Sequence, residues 1–255
     1  MSTALITGAS SGIGKELANA LAERGYELIL VARRKERLAA LAKELTSTHK
    51  TTVTVYAMDL STPGSSAALE KKVLADGHSV DVLVNNAGFG TNGRVADENR
   101  ARVAEEIQLN IGTLVDLTIA FLPGMVKRKS GAVVNIASTA SYQPVPGLAV
   151  YAATKAFVRS FSEAVWGEVP TGVKVFAVSP GATATEFFDV AGTKPAGNLA
   201  TPADVARVIL QQLDSEKPAP STIVGWQNRI MARVSRIVPV KAAIAVAGSL
   251  FLPKK

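Results

Sequence analysis

The sequence predicts an α/β fold: a doubly wound, mostly parallel seven-stranded sheet with helices on both faces. Three observations carry this expectation. Short apolar runs recur along the chain and alternate with amphipathic stretches of ten to fifteen residues, the pattern left by strand–helix–strand crossovers. The runs read as interior strands, buried on both faces as parallel strands are. The first of them opens through a glycine-rich turn directly into a helix.

Taken in order, Thr3–Thr7 is the first strand, and Gly8-Ala9-Ser10-Ser11-Gly12-Ile13-Gly14 leads into a helix marked by Leu17, Ala20 and Leu21. Such a turn presents bare backbone N–H groups at the positive end of a helix, where a pyrophosphate can approach because glycine has no side chain in the way. The spacing is G-x-x-x-G-x-G, which a purely structural turn would share. The second strand, Glu27–Ala32, ends in Arg33-Arg34, where dinucleotide-binding folds meet the adenosine ribose. An acidic residue there suits the 2′-hydroxyl of NAD, and arginine suits the 2′-phosphate of NADP, so NADP(H) is the expected cofactor, with Ser10 a second phosphate ligand.

A helix over 35–48 precedes a third strand, Thr52–Met58, ending at Asp59-Leu60. A fourth, Val80–Val84, ends at Asn85-Asn86-Ala87-Gly88. Ligands of open parallel sheets bind at these carboxyl edges. Asp59 is placed to accept from an adenine amino group, and Asn86, Ala87 and Gly88 to line the adenosine side or brace the central strand. A long helical region from about Asp97 to Lys129 holds Asn110, with an interruption expected near Gly112 and none at Pro123-Gly124.

Strand Ala132–Ala137 ends at Ser138, and the Pro- and Gly-rich loop Tyr142–Gly147 is long enough to fold Ser138 back beside Tyr151. Tyr151 and Lys155 stand four apart at the head of a helix and project side by side. An ammonium beside the phenol is expected to lower its pKa from about 10 towards the operating pH, making Tyr151 a general acid for a carbonyl oxygen. Val173–Val178 is a sixth strand, running into Ser179-Pro180-Gly181-Ala182-Thr183-Ala184-Thr185. Residues 186–200 read as a lid with Phe187, Phe188 and Val190 beneath it. Thr201 caps a helix with Pro202 at its first position, and Ser221–Val224 is the seventh strand.

No linker or repeat divides residues 1–225, which read as one domain. Residues 226–255 form a basic and apolar extension: Arg229, Arg233 and Arg236 alternate with Ile230, Val234 and Ile237, then Pro239, an apolar run Val240–Leu252 broken only by Lys241, and Lys254-Lys255. The thirteen residues of this run are too few to span a bilayer, which needs ~20. The extension can pack on its own domain or a second subunit, lie in a membrane interface, or wall a pocket for a long apolar substrate.

Composition sets limits. Without cysteine there is neither a disulfide nor a thiolate nucleophile, and His49 and His78 lie apart in polar stretches, so no metal site is expected. The N-terminus enters a strand with no basic leader region, and a cytoplasmic location is expected. The formal charge of +7 points to anionic partners, a polyanionic cofactor or an acidic membrane surface, because no nucleic-acid module is visible.

In this order and spacing, Thr7 to Gly14, Asp59-Leu60, Asn86-Ala87-Gly88, Asn110, Ser138, Tyr151 with Lys155, and Pro180-Gly181 with Thr185 resemble the short-chain dehydrogenase/reductase family over residues 3 to 190, in its compact single-domain branch with a Rossmann-like fold. The resemblance implies that Tyr151 exchanges the proton with the substrate oxygen. Lys155 would depress the Tyr151 pKa and hold the nicotinamide ribose, Ser138 would stabilise charge on the carbonyl oxygen, and Asn110 would support a water joining Lys155 to solvent. Pro180, Gly181, Thr183 and Thr185 would hold the nicotinamide end. The activity expected is hydride transfer between NADP(H) and a carbonyl or alcohol substrate, lipid-like or 3-oxoacyl-like, in a homodimer or homotetramer. A cofactor-binding sensor without turnover and a membrane-associated interaction protein are the alternatives.

Overall fold

A computed structural model describes residues 2–193 and 199–252. Seven parallel strands are ordered β3-β2-β1-β4-β5-β6-β7, where β1 is Thr3–Thr7, β2 Glu27–Ala32, β3 Val53–Ala57, β4 Val82–Asn85, β5 Gly131–Ile136, β6 Val173–Ser179 and β7 Ser221–Ile223. Successive residues of a strand face opposite sides of the sheet. Ala4, Ile6, Leu28 and Leu30 therefore meet the helices α1 (Gly12–Glu23) and α2 (Lys35–His49) on one face, together with α8 (Pro202–Asp214). Leu5, Ile29, Val31 and Leu83 meet α3 (Ser65–Ala75), α5 (Leu114–Arg128) and α6 (Ala149–Glu168) on the other. Both faces are covered, which is why the strands carry apolar side chains in both directions.

The order of the strands reverses between β1 and β4, so their carboxyl ends diverge and leave a crevice. All the expected strands form, with ends shifted by one or two residues. The long helical region runs without a break from α4 (Arg100–Ile107) into α5, and the expected interruption near Gly112 is instead a π-helical turn, Gln108–Thr113. One extra residue in a turn rotates the helix locally without ending it, and here it carries Asn110. Pro123 sits inside α5 without breaking it. The segment Arg100–Arg128 is long and apolar enough to cross a membrane by length and composition, but Leu117, Phe121 and Met125 pack it onto the sheet as a core helix.

The expected lid holds a short helix, α7 (Phe187–Ala191); its residues 194–198, like the closing Lys254-Lys255, lie outside the described residues. Thr201 caps α8 as expected, its hydroxyl accepting from the Asp204 N–H at 3.2 Å while the Asp204 carboxylate accepts from the Thr201 N–H at 3.2 Å. The C-terminal extension forms α9 (Trp226–Ile237) and α10 (Val240–Phe251). Ala243 and Ala247 are the buried residues of α10, and Ala247 packs with Val145, Leu148 and Ala152. The Asn92 amide ties the end of α10 to the loop before α6, donating to Gly147 O at 3.0 Å and Phe251 O at 3.1 Å.

Candidate active site

A cleft of about 660 Å³ runs along the carboxyl ends of the strands, a size suited to a cofactor and a small substrate. Gly8, Ser10, Ser11, Gly12 and Ile13 line it from the first turn, Arg33 and Arg34 from the end of β2, and Asp59 and Leu60 from the end of β3. Asn86, Ala87 and Gly88 form its floor, and Ser138, Tyr151, Lys155, Pro180, Gly181, Thr183 and Thr185 its far end. Two expected residues are not on its wall. A Cβ on Gly14 would stand 2.5 Å from Gly8 O and 2.6 Å from Asn86 Nδ2, so Gly14 is what lets α1 pack against the β1 turn. Asn110 is buried behind the cleft.

At the adenosine end Gly12 takes φ of +54°, a conformation open to glycine, and a Cβ there would stand 2.8 Å from Thr185 Cγ2. The turn makes a bare cradle at the start of α1, and the Ser11 side chain does not cap that helix. The geometry fits a pyrophosphate. Arg34, rather than Arg33, reaches back to the turn: its Nη2 donates to Ser10 Oγ at 3.0 Å and Ser11 Oγ at 2.8 Å. Arg33 instead faces Asp59 at 3.8 Å. Burial raises the Asp59 pKa, but hydrogen bonds from the Ser61 side chain and backbone, with the charge of Arg33, hold it below the usual value. Asn86 braces the central strands, its Nδ2 donating to Thr7 O at 2.8 Å.

At the other end Tyr151 and Lys155 come from the first two turns of α6, four residues apart as expected, and Ser138 stands at the end of β5 with a hydrogen bond to the phenol. The expected depression of the phenol is not found. Burial pushes Tyr151 up to about 12, the Ser138 hydrogen bond working against this and the charge of Glu106 with it. Burial also pulls Lys155 down to about 8, against the charge of Glu106. Burial is the larger effect at both groups; Lys155 Nζ donates to Ile136 O at 2.7 Å and stands 5.9 Å from the centre of the phenol ring. Asn110 accepts from Phe89 N at 3.2 Å and donates to Phe89 O at 2.9 Å and Thr154 Oγ1 at 3.0 Å. A Cβ on Gly88 would stand 2.9 Å from Asn110 Oδ1 and 3.3 Å from Lys155 Nζ, so only glycine lets these groups approach.

Glu106, Asn228 and Met231 were not singled out from the sequence, whereas Phe187 was expected on the underside of the lid. Glu106, fully buried, accepts from Thr91 N at 3.0 Å and Thr91 Oγ1 at 2.9 Å, while its Oε1 has no hydrogen-bond partner among the described residues. Burial raises its pKa. Its place one helical turn before Asn110 is the signal that could have found it. Phe187 packs on Tyr151 at 4.9 Å between ring centres. Asn228 of α9 covers Gly181, where a Cβ would stand 2.5 Å from its Nδ2. Met231, Leu250 and Phe251 of the extension line the same cleft.

A family model described as short chain dehydrogenase matches residues 2–195. The chain belongs to the short chain dehydrogenase family. Among curated short chain dehydrogenase relatives, a very-long-chain 3-oxoacyl-CoA reductase of Phaeosphaeria nodorum is 33% identical over 253 residues, covering 95% of this chain and 74% of that protein. A solved short-chain dehydrogenase from Sphingobium yanoikuyae in complex with NADPH is 35% identical, with a TM-score of 0.83 over 93% of this chain and 95% of that one. The bulky-bulky ketone specific alcohol dehydrogenase from Comamonas testosteroni is 32% identical, with a TM-score of 0.78 over 93% and 94%.

Proposed function

We propose that this short chain dehydrogenase is an NADP(H)-dependent carbonyl reductase or alcohol dehydrogenase acting on a bulky, apolar ketone of lipid or 3-oxoacyl type. The observation that carries the reading is the pairing, in one cleft, of an arginine and serine cluster at the adenosine end with Ser138, Tyr151 and Lys155 at the other. NADPH, when bound, supplies the hydride. Arg34, Ser10 and Ser11 hold the 2′-phosphate, and the N–H groups of the Gly8–Gly14 turn face the pyrophosphate. Pro180, Gly181, Thr183 and Thr185 hold the nicotinamide end, and Lys155 anchors the ribose there. Ser138 donates to the carbonyl oxygen as charge builds on it, and Tyr151, fully protonated with its raised pKa, transfers its proton to that oxygen. Asn110 supports the route by which the proton is replaced.

The substrate class rests on the walls. Val145, Leu148, Phe187, Phe188, Met231 and Phe251 surround the catalytic end, and relatives named for very-long-chain 3-oxoacyl-CoA and for bulky-bulky ketones support the same class. Spectrophotometry of NADPH and NADH consumption against aryl ketones, steroids and 3-oxoacyl thioesters tests it. Turnover of the bulky apolar ketones with NADPH preferred is expected. Cofactor binding with no turnover across the panel supports a sensor instead, and a preference for NADH removes the cofactor assignment.

The extension supports a location for this reaction. Residues 226–255 hold six Lys and Arg and no Asp or Glu, leaving 22 against 21 for residues 1–225, so nearly all of the net charge lies in α9, α10 and the chain end. On the same helices Trp226, Ile230, Val234, Ile237, Val240 and Val246 are exposed. A second copy would bring the same positive charge to this face, whereas an anionic bilayer neutralises it and takes up the apolar side chains. Peripheral membrane binding through this face, beside the cleft mouth at Met231 and Leu250, is the proposed arrangement. Co-sedimentation with phosphatidylglycerol vesicles but not phosphatidylcholine vesicles is expected; no sedimentation, or concentration-dependent dimerisation lost in Ile237→Glu, overturns it.

A further inference from the structure

Glu186 takes no part in the chemistry above, yet it reaches across the cleft to the adenosine end. Its Oε2 accepts from Arg34 Nη1 at 2.6 Å and its Oε1 from Arg37 Nη1 at 2.5 Å. Arg34 is the residue that also donates to Ser10 and Ser11. Arg37, one turn into α2, was not expected at this site; its place on the helix that starts next to Arg34 brings its side chain to the same carboxylate. Two guanidinium groups, two serine hydroxyls and one carboxylate thus converge on the end of the cleft where the 2′-phosphate is proposed to sit.

The chemistry of this cluster is that of an anion site that already holds an anion. Arg37 and Arg34 keep the Glu186 carboxyl ionised down to about pH 2. The carboxylate belongs to the opposite side of the cleft, 152 residues from Arg34 in sequence, and it directly precedes Phe187, which rests on Tyr151. A phosphate dianion and a carboxylate seek the same fork of donors, and both cannot hold Arg34 fully at once. A ribose 2′-hydroxyl carries no charge and has no means of taking the guanidinium groups from Glu186.

We infer that Glu186 is an intramolecular competitor of the cofactor's 2′-phosphate for Arg34 and Arg37, and hence a residue that sets how strongly NADP(H) is preferred over NAD(H). The inference rests on the NADP(H) reading above. When the phosphate enters, the two ion pairs to Glu186 give way to pairs with the phosphate; NAD(H) leaves them in place. The native chain therefore holds NADP(H) less tightly than its arginines alone would allow, which favours release of the oxidised cofactor after turnover.

Glu186→Gln keeps the shape and removes the charge, and Glu186→Ala serves as a second variant if the first unfolds. Calorimetric titration with NADPH, NADH, adenosine 2′,5′-bisphosphate and ADP reads the subsite directly, the last two without touching the nicotinamide end. Expected is a gain of about tenfold for NADPH and for the 2′,5′-bisphosphate, with NADH and ADP within about twofold of the native values. Equal gains for all four ligands would show Glu186 acting as a general negative charge, and unchanged or weaker NADPH binding would show it as a supporting contact; either overturns the inference. A native chain that binds NADH more tightly than NADPH would defeat the cofactor reading itself, whatever the variants do.

Discussion

The two ends of the cleft are built on opposite electrostatic plans. At the adenosine end the charged groups are exposed and matched: Arg34, Arg37 and Glu186 are roughly half exposed, and Glu186 is shifted down to about 2 by its partners. At the proposed catalytic end Lys155 is buried and Tyr151 half-buried, Tyr151 is pushed up to about 12 and Lys155 down to about 8, and each shift has burial as its largest cause, with the charge of Glu106 working against it for Lys155. The difference teaches that charge partners set the ionisation at one end and burial sets it at the other, so on the proposed function the first would tune cofactor binding and the second the proton transfer. The first should respond to salt and the second to little except substitution or pH.

The sharpest break would come at the dry end. Tyr151→Phe keeps the ring against Phe187 and removes the proton donor, so turnover should fall at least ~10²-fold while NADPH affinity, set at the far end, is retained. Steady-state kinetics paired with NADPH titration measures both, and near-normal turnover would end the assignment of Tyr151 as the acid. Arg34→Ala should do the reverse, raising the NADPH KM about 10- to 100-fold with kcat nearly kept and NADH affected much less. In the native chain the NADPH KM should climb several-fold between ~10 mM and ~300 mM salt, while kcat stays level; a flat KM would blur the contrast.

The smallest expected effect separates the two plans by pH. Tyr151, raised to about 12, stays protonated through the working range, so an alkaline limb in kcat/KM for NADPH should lie near pH 8, where Lys155 loses its charge. Glu106 holds the Lys155 value up, so Glu106→Gln should move that limb to lower pH, by up to ~1 unit. The stability of the fold carries the same signature. Unfolded Lys155 takes up its proton below 10.5 and folded Lys155 only below about 8, so between these values the unfolded chain binds more protons and this group makes the fold more stable as pH rises. Tyr151 has the opposite sign between 10.0 and about 12, where the folded chain keeps a proton that the unfolded chain has lost. Denaturant melts across pH 8 to 11 read the first of these.

Much of the cleft was legible because its residues follow local rules. Glycines at Gly8 and Gly12 declare a turn of positive φ, the pair Tyr151 and Lys155 declares itself by helical spacing, and strand ends declare a carboxyl edge. Where the reading went astray, the missing quantity was distance or dielectric. Four residues of separation put Lys155 beside Tyr151 but did not tell that its ammonium turns to Ile136 O, nor that burial outweighs its charge. The interruption expected at Gly112 was a sound propensity argument, overruled because α4 and α5 pack as one continuous helix through the π turn. Glu186 and Arg37 were invisible as partners, since 149 residues separate them and no local pattern joins them.

By itself the sequence determined the order of strands and helices, the glycine turn and the pairing of Tyr151 with Lys155 on one helix face, because each depends on neighbours within a few residues. Only the tertiary structure decided which arginine faces the serines, which carboxylate faces the arginines, how dry the phenol is, and that α9 and α10 close the apolar end of the cleft. Those are contacts between segments brought together by packing on the sheet, and the energies of charges in them depend on burial, which the chain acquires only on folding.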